Sequence, residues 1–271
     1  MMGLGYDIPA IALRRTATNA APAPFSPASL SPSVFFDPSR RSGLFQDFAG
    51  TISVTADNQP IGRWQDMSGN GHDLGQAVSA ARPTYRTDGS LHWVETDGVD
   101  DALKTATVFD VANPVTMVLG YQMLSTSGTA RVNIAEISQS STNGMSVGVR
   151  PNIDRLQYYS RMSAQGVSAT NVASPTVWGH HDKHVVTLQA SDGDVIVRLD
   201  GEIVIDAPQV LAQQSIAAQP LRVGLGAVTA SIPGAFRLYG LQVWTASATQ
   251  PDEPQIALLE AWMAAKTGVK L

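Results

Sequence analysis

The sequence predicts an all-β sandwich with an extended N-terminal segment and a C-terminal helix. Short runs of alternating apolar and polar residues recur from residue 34 onward, and 23 glycines and 16 prolines supply the chain reversals between them. Helical spacing of apolar residues occurs instead near the C-terminus. A length of 271 residues fits one large β domain with appendages.

Composition excludes several classes of protein. A net charge of -5 with 15% charged residues gives no basic footprint for nucleic acid. A hydrophobic share of 44% excludes a wholly disordered chain. The absence of cysteine excludes disulfides, thiolate zinc sites and cysteine nucleophiles. The sequence also has no phosphate-binding loop, dinucleotide fingerprint or serine-hydrolase motif.

Residues 1–33 are predicted to form an extended arm. Residues 19–33 are mostly alanine, proline and serine without charge, a composition that favours extended polyproline geometry. The expected anchors, if this arm docks on a partner, are Tyr6, Ile8 and Phe25; a flexible leader is the alternative. Arg14 and Arg15 follow the early apolar stretch instead of preceding it, so we expect synthesis in the cytoplasm without a signal peptide.

Residues 34–271 are predicted to form one sandwich of about nine to twelve strands, and residues 236–244 are one of these strands. The clearest strand, residues 115–123, places alternate residues on one face: Val115, Met117, Leu119, Tyr121 and Met123. The pair Asp200-Gly201 lies between two β-like runs and predicts a hairpin turn with positive φ at both residues.

A closing helix is predicted at about residues 254–267. Asp252 is the expected N-cap and Gly268 the expected C-terminal stop. Ile256, Leu259 and Met263 share one face, so we expect this helix to lie against the edge or the back of the sandwich.

Several motifs occur in a recognisable order. They are the Leu44–Asp47 segment (LFQD), Gly50-Thr51, the W-x-D-x-SGNG loop from Trp64, the stretch 178–201, and the closing Lys266-Thr267-Gly268-Val269. This order resembles the concanavalin-A-like, laminin-G-like jelly-roll family, in particular the branch found in phage and gene-transfer-agent-like particle proteins. The resemblance implies a jelly roll in a head spike, decoration protein or tail fibre.

The W-x-D-x-SGNG loop is interpreted as a structural turn. Its glycines and asparagine tolerate left-handed φ, and the aspartate accepts amide protons from the loop. The residues concerned are Asp66, Ser68, Gly69, Asn70 and Gly71.

Candidate ligand contacts are few. Rings suited to sugar binding, if they lie on loops, are Trp93, Tyr158, Tyr159 and Trp178. The resemblance makes calcium the expected cation, if any, since related jelly rolls often bind it. Its candidate ligands are Asp97, Asp100 and Asp101. We expect no other metal and no other cofactor.

A catalytic reading of the acidic residues is the main alternative. Glu95, Asp97 and Asp100 approximate the E-x-D-x-x-E strand of some glucanases of this broad fold, but Gly98 predicts a turn that scatters the carboxylates. We therefore expect a protein that is not an enzyme.

The resulting hypothesis is a non-enzymatic structural or adhesion component on the surface of a phage or phage-like particle. It docks by its arm on other particle proteins, binds host-surface glycan and forms a homo-oligomer, without nucleic-acid binding or membrane insertion. A glycoside hydrolase of the same fold and a secreted bacterial carbohydrate-binding module remain alternatives.

Overall fold

A computed structural model describes residues 25–110, 114–124, 132–140, 143–162, 167–174, 179, 181–191, 193–208, 218–226 and 234–271. These residues form 18 strands, one α-helix and four short 3-10 helices. The strands are β1 (Val34–Phe36), β2 (Leu44–Phe45), β3 (Gln59–Pro60), β4 (Arg63–Trp64), β5 (Leu74–Gly75), β6 (Thr84–Thr87), β7 (His92–Glu95), β8 (Leu103–Asp110), β9 (Val115–Met123), β10 (Val132–Ser140), β11 (Asn143–Arg150), β12 (Arg155–Met162), β13 (Val167–Ala173), β14 (Lys183–Ala190), β15 (Asp194–Leu199), β16 (Glu202–Pro208), β17 (Ala218–Val223) and β18 (Phe236–Trp244). Helix α1 is Glu253–Thr267, and the 3-10 helices are Pro27–Leu30, Arg41–Gly43, Ser79–Ala81 and Pro151–Ile153.

The strands form two antiparallel sheets. The first sheet has the order β16-β15-β14-β9-β18-β7-β6-β3, with β1 also paired to β18. The second has the order β13-β12-β11-β10-β17-β8-β5-β4-β2. Non-consecutive neighbours, such as β9 beside β18, mean that strands distant in sequence pair within each sheet, as in Greek-key sandwiches.

The core lies between the two sheets. Met117 and Leu119 of the first sheet and Ile134 and Val147 of the second belong to one buried cluster. Period-two alternation explains this, because every second residue of a strand points inward. The predicted all-β sandwich is confirmed, and the Val115–Met123 and Phe236–Trp244 strands have the predicted bounds.

The number of strands exceeds the predicted nine to twelve. The additional strands are mainly pairings of two or three residues, such as Leu44–Phe45 and Arg63–Trp64. A strand of only two residues shows no detectable alternation of apolar and polar side chains in the sequence. Only its hydrogen-bonded partners identify it as a strand.

The predicted Asp200-Gly201 turn joins β15 to β16. Both residues have positive φ, 52° for Asp200 and 86° for Gly201. The Asp200 carboxylate also accepts a hydrogen bond from the amide of Val185 at 2.7 Å and contacts His184 Nδ1 at 2.7 Å. The turn is thereby tied to the neighbouring strand β14.

Helix α1 packs on the outer face of the first sheet. Asp252 accepts a hydrogen bond from the amide of Gln255, the Gln255 side chain accepts one from the amide of Asp252, and Gly268 ends the helix with φ 79°. The buried face of the helix joins outward residues of the sheet in a second apolar cluster: Val118, Val185, Trp244, Ile256, Leu259, Met263 and Ala264. Among the described residues, no helix has both the length and the apolar character needed to cross a membrane.

The C-terminal end of the predicted arm packs against the body of the protein. Phe25 and Leu30 pack against the second apolar cluster, and Trp244 Nε1 donates a hydrogen bond to the Leu30 carbonyl at 2.9 Å. Phe25 therefore contacts its own chain and is partly buried there, and its role as an anchor for a partner stays a prediction. Tyr6 and Ile8 lie outside the described residues.

Candidate functional site

The loop after Trp64 is held by its aspartate. Asp66 Oδ1 accepts hydrogen bonds from the amides of Phe35 and Ser68, and Oδ2 accepts from the Ser68 hydroxyl and the His72 amide. Asn70 donates from Nδ2 to the carbonyls of Pro32 and Ser33, each at 3.1 Å. The Asp66 loop therefore ties β1 to the body, as the structural interpretation expects.

The aromatic candidates separate according to the face of the sheet on which they lie. Tyr158 is 0% exposed and belongs to the core between the sheets, whereas Tyr159 lies on the opposite face of β12 and is partly exposed. Alternation along a strand sends adjacent rings in opposite directions. Tyr158 thus presents no ring to a ligand, which corrects its prediction as a sugar contact. Trp178 lies outside the described residues.

Trp93 is also buried. It lies in β7, not on a loop, and is 6% exposed. Its Nε1 donates to Glu95 at 3.1 Å, and the Arg237 guanidinium lies 4.8 Å from its ring centroid. The prediction of Trp93 as a sugar platform is therefore wrong, because Arg237 lies over its ring face.

The acidic residues at the end of β7 and in the turn that follows it form two groups. Glu95 pairs with Arg237 at 2.9 Å. The carboxylates of Asp97, Asp100 and Asp101 lie within 4.8 Å of one another in the turn that contains Gly98, which has a φ of 78°. The turn therefore brings Asp97 and Asp100 of the glucanase-like trio together, which corrects the expectation that it scatters the carboxylates, while Glu95 is held by Arg237. We assign no ion to the aspartates, since exposed acidic clusters are common in proteins without one.

Burial changes the proton affinity of one of these aspartates. Asp101 is buried, and the burial, together with the charges of Asp97 and Asp100, raises the pKa of Asp101 to about 6. Its Oδ2 still accepts a hydrogen bond from the amide of Asp97 at 3.0 Å. A buried carboxyl among like charges costs free energy when it ionises.

A large groove lies on the outer face of the second sheet. Its volume is about 750 Å³, and it is open to solvent on one side. Phe48, Arg63, Gly75, Lys104 and Arg222 contribute to its wall and floor. The groove falls within the 300–1,000 Å³ range that is typical of small-ligand sites.

The groove floor follows a single row of cross-strand partners. Arg63 pairs with Gly75, Gly75 with Lys104, and Lys104 with Arg222 in the register of strands β4, β5, β8 and β17. The row continues through Glu136 and Ser146 to Tyr159. Direct partners project from the same face of a sheet, so residues from seven strands share this face, although Glu136 and Ser146 are buried.

Gly75 allows an aromatic ring to approach the floor of this groove. A Cβ atom at Gly75 would lie 2.7 Å from Cε2 of Phe48, closer than real contacts permit. Phe48 nevertheless remains 53% exposed. The glycine therefore supports an exposed ring lying against the sheet, an arrangement suited to stacking on the apolar face of a sugar.

The positively charged side chains of the groove differ in whether they already form hydrogen bonds within the protein. Arg63 donates from Nε to Asp73 at 2.8 Å, and Arg222 donates from Nε to the Ser138 carbonyl at 2.8 Å. Lys104 is exposed and has no hydrogen bond or ion pair to any residue that the structure describes. It is the groove cation most available to a ligand.

A β-bulge shapes the floor beside Lys104. The register of β8 with β17 shifts between Pro220 and Arg222, and the Leu221 amide donates a hydrogen bond to Thr105 Oγ1 at 3.0 Å. Bulges bend a strand and redirect its side chains, and they are common beside binding sites.

Sequence reasoning missed this groove. Phe48 follows Asp47 and precedes Ala49-Gly50, so an aromatic residue in a short polar turn was the available signal. Nothing local distinguishes Gly75, Lys104 or Arg222, which meet only because β5, β8 and β17 are neighbours.

No protein-family model and no curated protein matches the chain. Solved structures do match. The binding domain of botulinum neurotoxin serotype G aligns with a TM-score of 0.56 and 8% identity, over 74% of this chain and 48% of that chain. Botulinum neurotoxin type C, whose cell entry depends on interaction with two ganglioside molecules, aligns with a TM-score of 0.57 and 9% identity, over 88% of this chain and 53% of that chain.

A third structural match is a domain from a sugar-degrading enzyme. Domain 4 of AbnA, a GH43 extracellular arabinanase of Geobacillus stearothermophilus in complex with arabinotriose, aligns with a TM-score of 0.55 and 11% identity, over 76% of this chain and 100% of that domain. The chain spans about half the length of the toxin chains and all of the arabinanase domain. At such low identities these matches establish a shared β-sandwich fold.

Proposed function

We propose that the protein is a non-enzymatic glycan-binding jelly roll whose ligand site is the groove over Gly75. The observation that carries the proposal is the exposed Phe48 ring lying against Gly75 in a groove of about 750 Å³. Sugars present apolar C–H faces to rings and hydroxyls to polar side chains. The groove offers both kinds of contact within one row of strands.

The chemistry of the groove supports binding over hydrolysis. Glycosidases usually act with a pair of carboxylates that flank the scissile bond. Among the described residues lining the groove, Asp73 is the one carboxylate, and it is held by Arg63 and by the amide of Asp66. The ganglioside and arabinotriose associated with the structural matches give further support to a sugar ligand.

The proposal extends to an adhesion role on the surface of a phage or phage-like particle. The motif order, the apolar and proline-rich segment 1–24 and its large residues Tyr6 and Ile8 support docking of this segment on other particle proteins. The jelly roll then presents its groove to host-surface glycan, and a homo-oligomer places several grooves on one spike.

A secreted carbohydrate-binding module is the second candidate. The full coverage of the arabinanase domain favours it, because that domain belongs to an extracellular arabinanase. Fractionation distinguishes the two candidates: a particle component co-sediments with particles, whereas a secreted module remains in the supernatant.

The glycan proposal is tested with Gly75→Ala and Phe48→Ala. Either change removes the exposed ring from its place, so we expect binding to the preferred member of a panel of neutral and acidic oligosaccharides to weaken about tenfold or more. Calorimetry on the full chain measures the affinity.

The matched control is Gly43→Ala in the same body. A Cβ there meets its nearest neighbour, Gln65 Cβ, at 3.4 Å, an ordinary contact. We expect its affinity to equal that of the unaltered protein. Binding by none of the panel, or equal binding by all four proteins, would overturn the groove as a glycan site. Release of reducing sugar would indicate a hydrolase instead.

A further inference from the structure

Two cations stand side by side on the floor of the groove. Lys104 of β8 and Arg222 of β17 are direct register partners in an antiparallel pair, and both line the groove. Cβ atoms of such partners lie about 5 Å apart. Their charged groups can therefore reach one small anion together.

The proximity of these two positive charges lowers the stability of the protein when no ligand is bound. Like charges directly opposite each other on antiparallel strands repel. Glu136 lies on the other side of Arg222, where its charge partly offsets the loss of solvation of the guanidinium. Lys104 has Gly75 on its other side and therefore no compensating charge in the row. A ligand anion would relieve the repulsion that the fold leaves in place.

The net charge of the groove is opposite in sign to the net charge of the whole chain. Its described charged residues are Arg63, Lys104 and Arg222 against Asp73, whereas the chain carries a net charge of -5. Arg63 and Asp73 neutralise each other at one end. Glu136 lies beside Arg222, so the positive charge without a compensating partner in the row is that of Lys104, next to the strand over which Phe48 lies.

From these observations we propose that the ligand is an acidic saccharide, with a carboxylate bound between Lys104 and Arg222 and a sugar ring stacked on Phe48. This rests on the proposed function and adds the chemical class of the sugar. Gly75 and Arg222 are two strand spacings apart, roughly 10 Å, which suits two or three sugar units. The Arg222 Nε already donates to Ser138, so its Nη groups and the Lys104 ammonium supply the donors.

The test compares sugars that differ in one charge. The panel contains oligomers of uronic acids and sialic acids, their methyl esters and the corresponding neutral oligomers, measured on the full chain at low and high salt. We expect the acids to bind at least about tenfold more tightly than their esters, and salt to weaken only the acids.

Lys104→Met provides the residue-specific part of the test. We expect it to reduce binding of the preferred acid about tenfold, to leave the ester unchanged, and to keep or raise the melting temperature because the cross-strand repulsion is removed. Lys270→Met, which alters an exposed lysine near the C-terminus, is the control and should change none of these values.

The outcomes separate the two proposals. Equal binding of acids and esters, both weakened by Gly75→Ala, would overturn the acidic ligand while leaving the glycan site. Preference for acids that survives Lys104→Met would place the anion elsewhere and overturn the inference. Binding by no sugar at all would overturn both.

Discussion

Single residues decide which side chains of this sandwich are available to a ligand. Gly75 leaves room for the exposed ring of Phe48, while Tyr158 and Tyr159, adjacent in sequence, point to the core and to the outer face respectively. The sequence identified both tyrosines as candidate sugar contacts but did not show which residues of β12 face the core. One residue of register separates a core ring from a surface ring, so the phase had to come from the pairing of β12 with β11.

The burial of Asp101 predicts a pH-dependent stability. Its pKa is raised from 3.8 to about 6 in the folded state, so its contribution to stability is complete below about pH 4 and is lost as pH rises through 6. We expect Asp101→Asn to stabilise the protein at pH 8 by about 1–2 kcal/mol and to have little effect at pH 4. The amide oxygen can still accept the Asp97 amide hydrogen bond. Thermal unfolding at both pH values measures the difference.

Asp88→Asn is the control for this measurement. Hydrogen bonds from the amides of Leu91 and Ser90 lower the pKa of Asp88, so its contribution to stability is present at neutral pH and is lost in acid. We expect no stabilisation of the Asp88 variant at pH 8. A gain at pH 8 in both variants would point to net charge instead of burial as the cause.

At the scale of elements, the ends and the apolar face of helix α1 were predictable, whereas the particular strands on which it packs were not. Its cap residues and apolar face agree with the prediction, because capping and spacing are local properties. The helix packs on β9, β14 and β18, and this close packing requires a glycine in the sheet. A Cβ at Gly120 of β9 would lie 2.9 Å from Met263 Sδ and closer still to Thr267 Cγ2.

This contact predicts the effect of Gly120→Ala. The added methyl would overpack the interface between the helix and the sheet, so we expect a loss of about 1–3 kcal/mol in the free energy of unfolding. Urea unfolding of the variant beside Gly43→Ala measures it. Equal stability of the two alanine variants would show that the helix shifts without cost.

At the scale of the whole molecule, the boundary between arm and body lies nearer the N-terminus than composition predicts. Residues from Phe25 onward contact the body, and Ser33 Oγ lies 2.9 Å from Thr245 Oγ1 across 212 positions in sequence. The proline-rich composition favours extended backbone, but it does not prevent that backbone from packing on a sheet.

Two truncations separate the structural and docking contributions of the N-terminal segment. We expect deletion of residues 1–33 to lower the melting temperature relative to deletion of residues 1–24, because only the longer deletion removes the Leu30 and Ser33 contacts. Deletion of residues 1–24 is expected to abolish incorporation into particles. Normal incorporation of that variant would contradict arm docking, and equal melting temperatures would contradict the packing role of residues 25–33.

The sequence by itself determined the fold class, the two long strands Val115–Met123 and Phe236–Trp244, the Asp200-Gly201 turn and the capped helix. All of these depend on patterns within about fifteen residues of chain, where alternation, turn chemistry and capping act directly.

The tertiary structure determined the candidate site, the groove over Gly75. Phe48, Gly75, Lys104 and Arg222 span 175 positions in sequence, and they share a surface only because strands β5, β8 and β17 pair in one register. Strand order is set by the burial of whole faces against each other, which no short segment encodes alone.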